Sequence, residues 1–396
     1  MRCLWLTLAD PDPPHNGQYL YSGGLIHSFS GADVEVEVLG LARPGSSHSD
    51  GQREGSVSWH LAPHTPISKW ASLYSTYPNI ANRARTRAMR DKLGGLLKMG
   101  GWDAVIFDGM WTGWALSEVL AHYPDRRMRP VLVYISHNHE ESLRRQVAEN
   151  QSDWLRQAIM RLDTMKVARL ERLMVEAADL VSAITPEDAA LYAMQWPDKP
   201  IIILTPGYHG PVEPSAPMTE AKPRRAVYAG SFDWIAKRMN LEEFLSIADA
   251  LFAANGIELQ VVGSGEEAFF QQMRRRVVAT TFTGQVDNVE SYLAEARVAI
   301  VAERNGGGFK LKVLDYVFNH LPIFALDGAV AGVPLNPVEG SIRLFPSHED
   351  LALGVIGAID RMDLLNQIQD TAFNACRDRF DWGSRGSGLK SAIAAL

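Results

Sequence analysis

Apolar residues arrive in short blocks separated by longer stretches with helical spacing, and this alternation sets the first expectation of the fold. Cys3 to Ala9 reads as a buried strand that ends in the Pro- and Asn-rich loop Asp10 to Gly17, with a helix predicted through Tyr21 to Phe29. Val34 to Leu39 alternates and stops at Gly40, completing a β-loop-α-β opening. Further strands are predicted at 104–108, 131–135 and 180–184, each followed by a helical stretch. Succession of this kind predicts a doubly wound parallel sheet in the N-terminal half. The pattern changes over Thr205 to Pro217, a Pro-rich stretch read as a linker. A second α/β series then brings strands at 226–230, 258–263, 281–284, 298–302 and 322–326. The predicted class is therefore α/β, with two Rossmann-like doubly wound domains, 1–205 and 206–380, facing a cleft. Ligands of open α/β sheets lie beyond the carboxyl ends of the strands, so the cleft is the expected site.

Composition narrows the partners. A chain of 396 residues exceeds the size at which a single core stops growing, which agrees with two domains. Lys+Arg 39 against Asp+Glu 46 gives a net charge of −7, which argues against nucleic acid as a partner and requires any anion to be met by a local basic site. Cys3 and Cys376 stand at opposite ends of the chain without metal-ligand spacing, as in a reduced cytoplasmic protein. The apolar start is too short for a signal sequence and no run approaches a membrane span, so a cytoplasmic location is expected.

The most informative chemistry lies in Asn305-Gly306-Gly307-Gly308-Phe309-Lys310-Leu311-Lys312-Val313-Leu314-Asp315-Tyr316. This run follows an apolar strand and precedes an amphipathic helix. Consecutive glycines let backbone approach a ligand, and the first-turn N–H groups and the helix dipole favour negative charge. Lys310 and Lys312 supply full positive charge for a diphosphate, and Asp315 suits a carboxylate that accepts hydrogen bonds from sugar hydroxyls.

With those residues in place, the chain resembles the GT-B glycosyltransferases, and among them the large retaining group called family 4. The motifs are Tyr228-Ala229-Gly230-Ser231-Phe232-Asp233-Trp234 with Arg238-Met239-Asn240, Val261-Val262-Gly263-Ser264-Gly265, Phe282-Thr283-Gly284-Gln285-Val286, and the glycine run through Asp315 to Leu321-Pro322-Ile323. In the N-terminal half they are Gly17, His137-Asn138-His139-Glu140 and Asp179 to Thr185. The resemblance implies an N-terminal acceptor domain, a C-terminal nucleotide-sugar domain, and a closing helix over 381–396 that returns to the first domain. It puts backbone near Val286 against the base, Asp315 on the ribose, and glycines 306–308 with Phe309 against donor sugar and diphosphate. Gly17 and Ser231 join the donor site, Lys237 or Arg238 balances the diphosphate with Lys310 and Lys312, and His137 touches the donor sugar. One position departs from the pattern: the first of two acids spaced eight apart falls on Gly307, which leaves donor-sugar identity and stereochemistry open. A similarity at Lys310 to Tyr316 to bacterial glucuronosyltransferases makes glucuronate one candidate sugar.

Other features of the chain admit more than one reading. Asp10-Pro11-Asp12 is the sole Asp-x-Asp and sits in a proline-rich loop, so no metal or other cofactor is expected beyond the nucleoside-diphosphate sugar substrate. The basic stretch 82–98, with Trp70, Leu73, Tyr74 and Tyr77 before it, reads either as a solvated helix face or as a peripheral contact to an anionic membrane bearing a lipid-linked acceptor. Trp111, Trp114 and Tyr123 read as core, with an acceptor groove as the alternative. The expected function is transfer of a sugar to a carbohydrate or lipid-linked acceptor, retaining and metal-independent, in bacterial cell-surface polysaccharide or glycoconjugate synthesis. Two rivals remain open: a GT-B nucleotide-sugar epimerase using His137 and Glu140, and a non-catalytic nucleotide-sugar-binding subunit.

Overall fold

Short blocks of buried β-branched and aromatic residues form two parallel sheets, each in its own structural unit. The structure is a computed structural model that describes residues 1–64, 75–149, 154–212, 217–304 and 308–396. One unit comprises Met1–Gly207 with Asp381–Leu396, the other Tyr208–Phe380.

The first unit holds β1 (Arg2–Ala9), β2 (Glu35–Leu41), β3 (Arg53–Glu54), β4 (Val57–Ala62), β5 (Ala104–Asp108), β6 (Val131–Ile135), β7 (Leu180–Ala183) and β8 (Ile201–Ile203). Their order is β3-β4-β2-β1-β5-β6-β7-β8, parallel throughout except for the β3–β4 pair. All five residues of β5 are buried, as expected of a strand covered on both faces. The direction of travel across the sheet reverses between β1 and β5, so the loops after Ala9 and Asp108 flank its switch point.

The helix Trp382–Ala394 closes this unit. Asp381 caps it by accepting the Ser384 N–H, and its indole ring lies where a Cβ on Gly24, in the helix Gly17–Ser30, would have to go. Approach is closest at Gly386, where an added Cβ would stand 2.0 Å from the Ser28 carbonyl oxygen. Backbone cannot yield as a flexible side chain does, so Gly386→Ala is expected to cost about 3 kcal/mol and to lower the melting temperature by several degrees. Melting at the wild-type temperature would show that the two helices are not held this tightly.

The second unit holds β9 (Arg225–Ala229), β10 (Glu258–Val262), β11 (Thr280–Phe282), β12 (Val298–Val301), β13 (Ile323–Leu326) and β14 (Arg343–Phe345). All neighbours are parallel in the order β11-β10-β9-β12-β13-β14, the dinucleotide-binding order with its switch point between β9 and β12. The loops after Ala229 and Val301 therefore flank the crevice in which a ligand of this sheet is expected. Four strands lie outside the predicted set: β3, β4, β8 and β14. Three have only two or three residues, too few to show a period. β4 does alternate, burying Val57, Trp59 and Leu61, within otherwise polar surroundings.

Candidate functional site

Three lysines converge on one carboxylate at the switch point of the second unit. β12 delivers Glu303 two residues past its end, 6% exposed. The helix Leu311–Phe318 follows, with Lys310 at its N-cap and Lys312 in its first turn. Lys312 Nζ donates to Glu303 Oε1 at 2.6 Å and lies 4.3 Å from the centre of the Tyr228 ring, and Lys310 Nζ is 3.6 Å from Glu303 Oε2. Lys237, from the first turn of the helix Ile235–Ala254, acts electrostatically on both Glu303 and Lys310. Tyr316 accepts the Ala229 N–H at 2.8 Å, tying this helix to the end of β9.

Charge is unevenly shared in this cluster. Burial opposes ionisation of Glu303, but Lys312, Lys310 and Lys237 outweigh it and hold the carboxyl down at about 2. Lys312 is lowered to about 8, chiefly by burial; Glu303 pulls it up while the other two lysines push it down. Burial also lowers Lys237. Three cations act on Glu303, so its charge is more than compensated, and Asp233 adds a weaker pull on Lys237.

Asp315 sits one turn beyond Lys312 and shows the opposite imbalance. Burial, with a smaller contribution from Glu290, pushes its carboxyl up to about 7, and among the described residues no side chain donates a hydrogen bond to it. A half-buried carboxylate to which no described side chain donates suits a ligand that brings hydroxyls. Gly308 adopts φ +70, the left-handed conformation for which glycine is suited, and Gly306 and Gly307 lie outside the described residues. The helix begins at Leu311, three residues past the last glycine, because Lys310 is still extended. Phe309 is buried against Phe380 at 5.9 Å, and Val286 is half-buried in the loop after β11. Ser231 donates to Asp233 Oδ2 at 2.8 Å. Arg238 is not brought to the lysines: its guanidinium donates to the Phe232 and Asp233 carbonyls and pairs with Glu266 at 2.7 Å, so it braces the loop after β9 and leaves Lys237 facing the cluster.

In the first unit, His137 follows β6 and places Nε2 2.6 Å from Asp108 Oδ1. Asp108 ends β5 and accepts the Trp5 indole N–H on its other oxygen at 3.2 Å. The edges of Tyr21 and Trp111 pack on the imidazole, with centroids 4.9 and 4.7 Å away, so Trp111 belongs to the core and to this histidine's wall at once. Trp114 is buried and Tyr123 half-buried. Gly17 is the exposed first residue of its helix, which Asn16 caps through the Tyr19 N–H. Glu140 and Glu141 open the helix Glu140–Glu149, and their N–H groups donate to buried Glu171. Neither Glu303 nor Asp108 was singled out from sequence; the signal available was an acid at or just past the carboxyl end of a buried strand.

Asp10, Asp12 and His48 bring potential ligand atoms within 4.8 Å of one another. Asp10 already meets His48 Nδ1 at 2.9 Å and the N–H groups of His48 and Asp12, and Asp12 pairs with His27 at 2.8 Å. A cation there has to displace those partners. In the basic stretch, Arg90 pairs with Glu118 at 2.6 Å, Lys92 with Asp50 at 2.7 Å and Arg87 with Asp91 at 3.7 Å, which consumes much of its charge. Trp70, Leu73 and Tyr74 lie outside the described residues. Among the described residues, no helix is long and apolar enough to cross a membrane.

Residues 223–360, which include the lysine cluster and Asp315, match the family described as glycosyl transferases group 1. No curated protein sequence matches the chain. Over the full chain the fold is similar to that of sucrose-phosphate synthase from Thermosynechococcus elongatus, with 16% identity, TM-score 0.73, and coverage of 100% of this chain and 99% of the other. It is also similar to WaaG, a glycosyltransferase involved in lipopolysaccharide biosynthesis (14%, TM-score 0.67, 100% of both chains). Anabaena HepE in complex with UDP matches at 12% identity, TM-score 0.65 and 100% of both chains.

Proposed function

We propose that this chain, whose residues 223–360 match the group 1 glycosyl transferases and whose fold is similar to that of solved GT-B enzymes, is a glycosyltransferase that moves a sugar from a nucleoside-diphosphate sugar to a carbohydrate or lipid-linked acceptor. The observation that carries this reading is the arrangement at the β9/β12 switch point: Lys237, Lys310 and Lys312 gathered around buried Glu303, and, one turn away, Asp315, to which no side chain among the described residues donates. An electropositive pocket beside a hydroxyl-seeking carboxylate fits a diphosphate joined to ribose. HepE has been crystallised with UDP and with UDP-glucose, which supports a nucleotide-sugar donor here, and WaaG's role in lipopolysaccharide biosynthesis supports a cell-surface product.

The reaction we favour retains configuration and is metal-independent. The bond between the anomeric carbon and the diphosphate oxygen breaks as the acceptor hydroxyl adds on the same face, and the departing phosphate takes the hydroxyl proton. The three lysines stabilise the charge that develops on that phosphate. His137, oriented by Asp108, bears on the donor sugar, and Gly17, Gly306, Gly307 and Gly308 supply backbone contacts. The protein works in the cytoplasm, at the membrane when its acceptor is lipid-linked.

A thermal-shift and calorimetric screen of UDP, GDP, ADP and dTDP, with Mg²⁺ or with EDTA, tests the donor site. One base is expected to raise the melting temperature equally in both buffers; silence across the panel sinks the reading. With a donor and acceptor in hand, the anomeric configuration of the product decides retention, and an isomerised donor without transfer identifies an epimerase. Asp108→Asn preserves shape but changes which imidazole nitrogen carries the proton, so kcat is expected to fall by about 100-fold with UDP-induced stabilisation unchanged. Full activity in that variant removes His137 from the catalytic centre.

A further inference from the structure

The helix Trp154–Ala177 of the first unit has two unlike faces. Val167, Leu170, Met174 and Val175 are buried in the core, and Glu171 among them accepts the N–H groups of Glu140 and Glu141 at 3.0 and 2.9 Å. Glu171 therefore stands level with the loop after β6, and the turns before it run past the carboxyl end of the sheet, the end at which His137 lies. The outer face carries Ile159, Leu162, Met165 and Leu173, exposed by 39, 39, 63 and 46%. Spacings of three and four place Leu162, Met165, Arg169 and Arg172 in one line along it. Arg161, Arg169 and Arg172 are exposed and form no ion pair among the described residues. Of the acids on this helix, Asp163 is half-buried and accepts the Asn79 N–H at 2.9 Å, and Glu176 lies exposed at the far end.

Single apolar side chains are ordinary on a protein surface, but four on one helix face among unpaired guanidinium groups call for a partner that is both apolar and anionic. A second copy of the chain does not supply it. Pairing this helix with itself antiparallel about Met165 sets Arg161 against Arg169, and pairing it parallel sets each arginine against its own counterpart. An anionic bilayer does supply it: the apolar side chains enter the acyl boundary, and the arginine heads meet lipid phosphates. We propose that this face of Trp154–Ala177 docks the first unit on an anionic membrane surface, with the His137 end of the sheet beside the headgroups. The proposal gives the lipid-linked branch of the function above its contact surface and rests on that branch for its purpose. It places the contact away from the basic stretch 82–98, where Arg87, Arg90 and Lys92 already have acidic partners.

Flotation with vesicles of phosphatidylcholine, alone or mixed with phosphatidylglycerol, tests this without any nucleotide. Wild type is expected to float with the mixed vesicles only, and more weakly in about 1 M salt, where the screening length is about 3 Å. An arginine beside an anionic surface is worth about fivefold in affinity, so the double variant Arg169→Gln, Arg172→Gln is expected to bind about 30-fold more weakly. Leu162→Ser with Met165→Ser is expected to bind at least about tenfold more weakly. All four side chains are exposed, so both double variants are expected to melt near the wild-type temperature. Arg90→Gln with Lys92→Gln, on the helix Arg87–Met99, is expected to bind as wild type does. Binding that is equal with and without phosphatidylglycerol, absent from both, or lost only in Arg90→Gln with Lys92→Gln overturns the proposal. So does a wild-type dimer that Leu162→Ser with Met165→Ser dissociates, which makes the face an interface between copies. Should one double variant not fold, the other decides. A chain that binds UDP but no vesicle overturns this proposal alone, whereas one that floats as expected and binds no nucleotide upholds it and sinks the donor reading.

Discussion

At pH 8, Asp315→Asn melts above wild type and gains no melting temperature from any nucleotide. Burial pushes the Asp315 carboxyl up to about 7 in the folded protein, against an unfolded value of 3.8. The folded state therefore keeps its proton longer than the unfolded chain does, and stability falls as pH rises between those two values. Above pH 7 the full cost is present, on the order of 3–4 kcal/mol, and the uncharged amide escapes most of it. Below pH 4 the aspartic acid is neutral in both states, so the advantage of the variant closes there. On the proposed donor reading the same substitution removes an acceptor for ribose hydroxyls, so the gain in stability comes with loss of donor binding, the trade-off expected of a binding group to which no described side chain donates. Melting curves from pH 4 to 9, with and without UDP, check both halves. A variant that melts below wild type at pH 8 shows that the folded protein supplies Asp315 with donors.

Glu303→Leu behaves in the opposite sense. Glu303 lies at about 2 in the folded protein, below its unfolded 4.5, so its contribution is complete above pH 4.5 and is lost only as pH falls through 2. Its removal at pH 7 leaves Lys237, Lys310 and Lys312 facing one another without their shared buried anion, and the expected loss is about 3 kcal/mol, in the range seen when one partner of a buried ion pair is deleted. Lys312, already lowered to about 8 with Glu303 present, sheds its proton more readily in the variant. Raising the pH from 7 to 10 therefore relieves the repulsion, and the gap from wild type narrows. Chemical denaturation across that range tests the sign: a gap that widens with pH means the lysines do not crowd one another.

Much of this was legible in sequence because the informative parts are local. The β9/β12 crevice is announced by two apolar blocks with polar, glycine-bearing loops after them, and Lys310, Lys312 and Asp315 stand within one short run. Glu303 was not legible for a physical reason. A single acid just past an apolar strand looks like an ordinary turn residue, and its significance comes from lysines seven and nine residues ahead and, through Lys237, in the helix that follows a different strand. Asp108 is the same case, since only the pairing of β5 with β6 brings it to His137. Arg238 shows the converse. Adjacent basic residues look equivalent on paper, but the carbonyls of Phe232 and Asp233 claim one and leave its neighbour to the site.

The helix Trp382–Ala394 also has a consequence for the order of synthesis. The first unit begins with residue 1, but the helix Gly17–Ser30 stays bare on the face that receives Trp382–Ala394 until 381–396 arrives, and the whole of 208–380 is translated in between. Domains normally fold as they emerge, N-terminal first. Here the N-terminal unit has to wait on the ribosome with the seat at Gly24 and Ser28 open, while the later unit is free to finish before it. A nascent chain stalled short of residue 382 therefore presents this open helix face to chaperones and proteases even when its second unit is already complete.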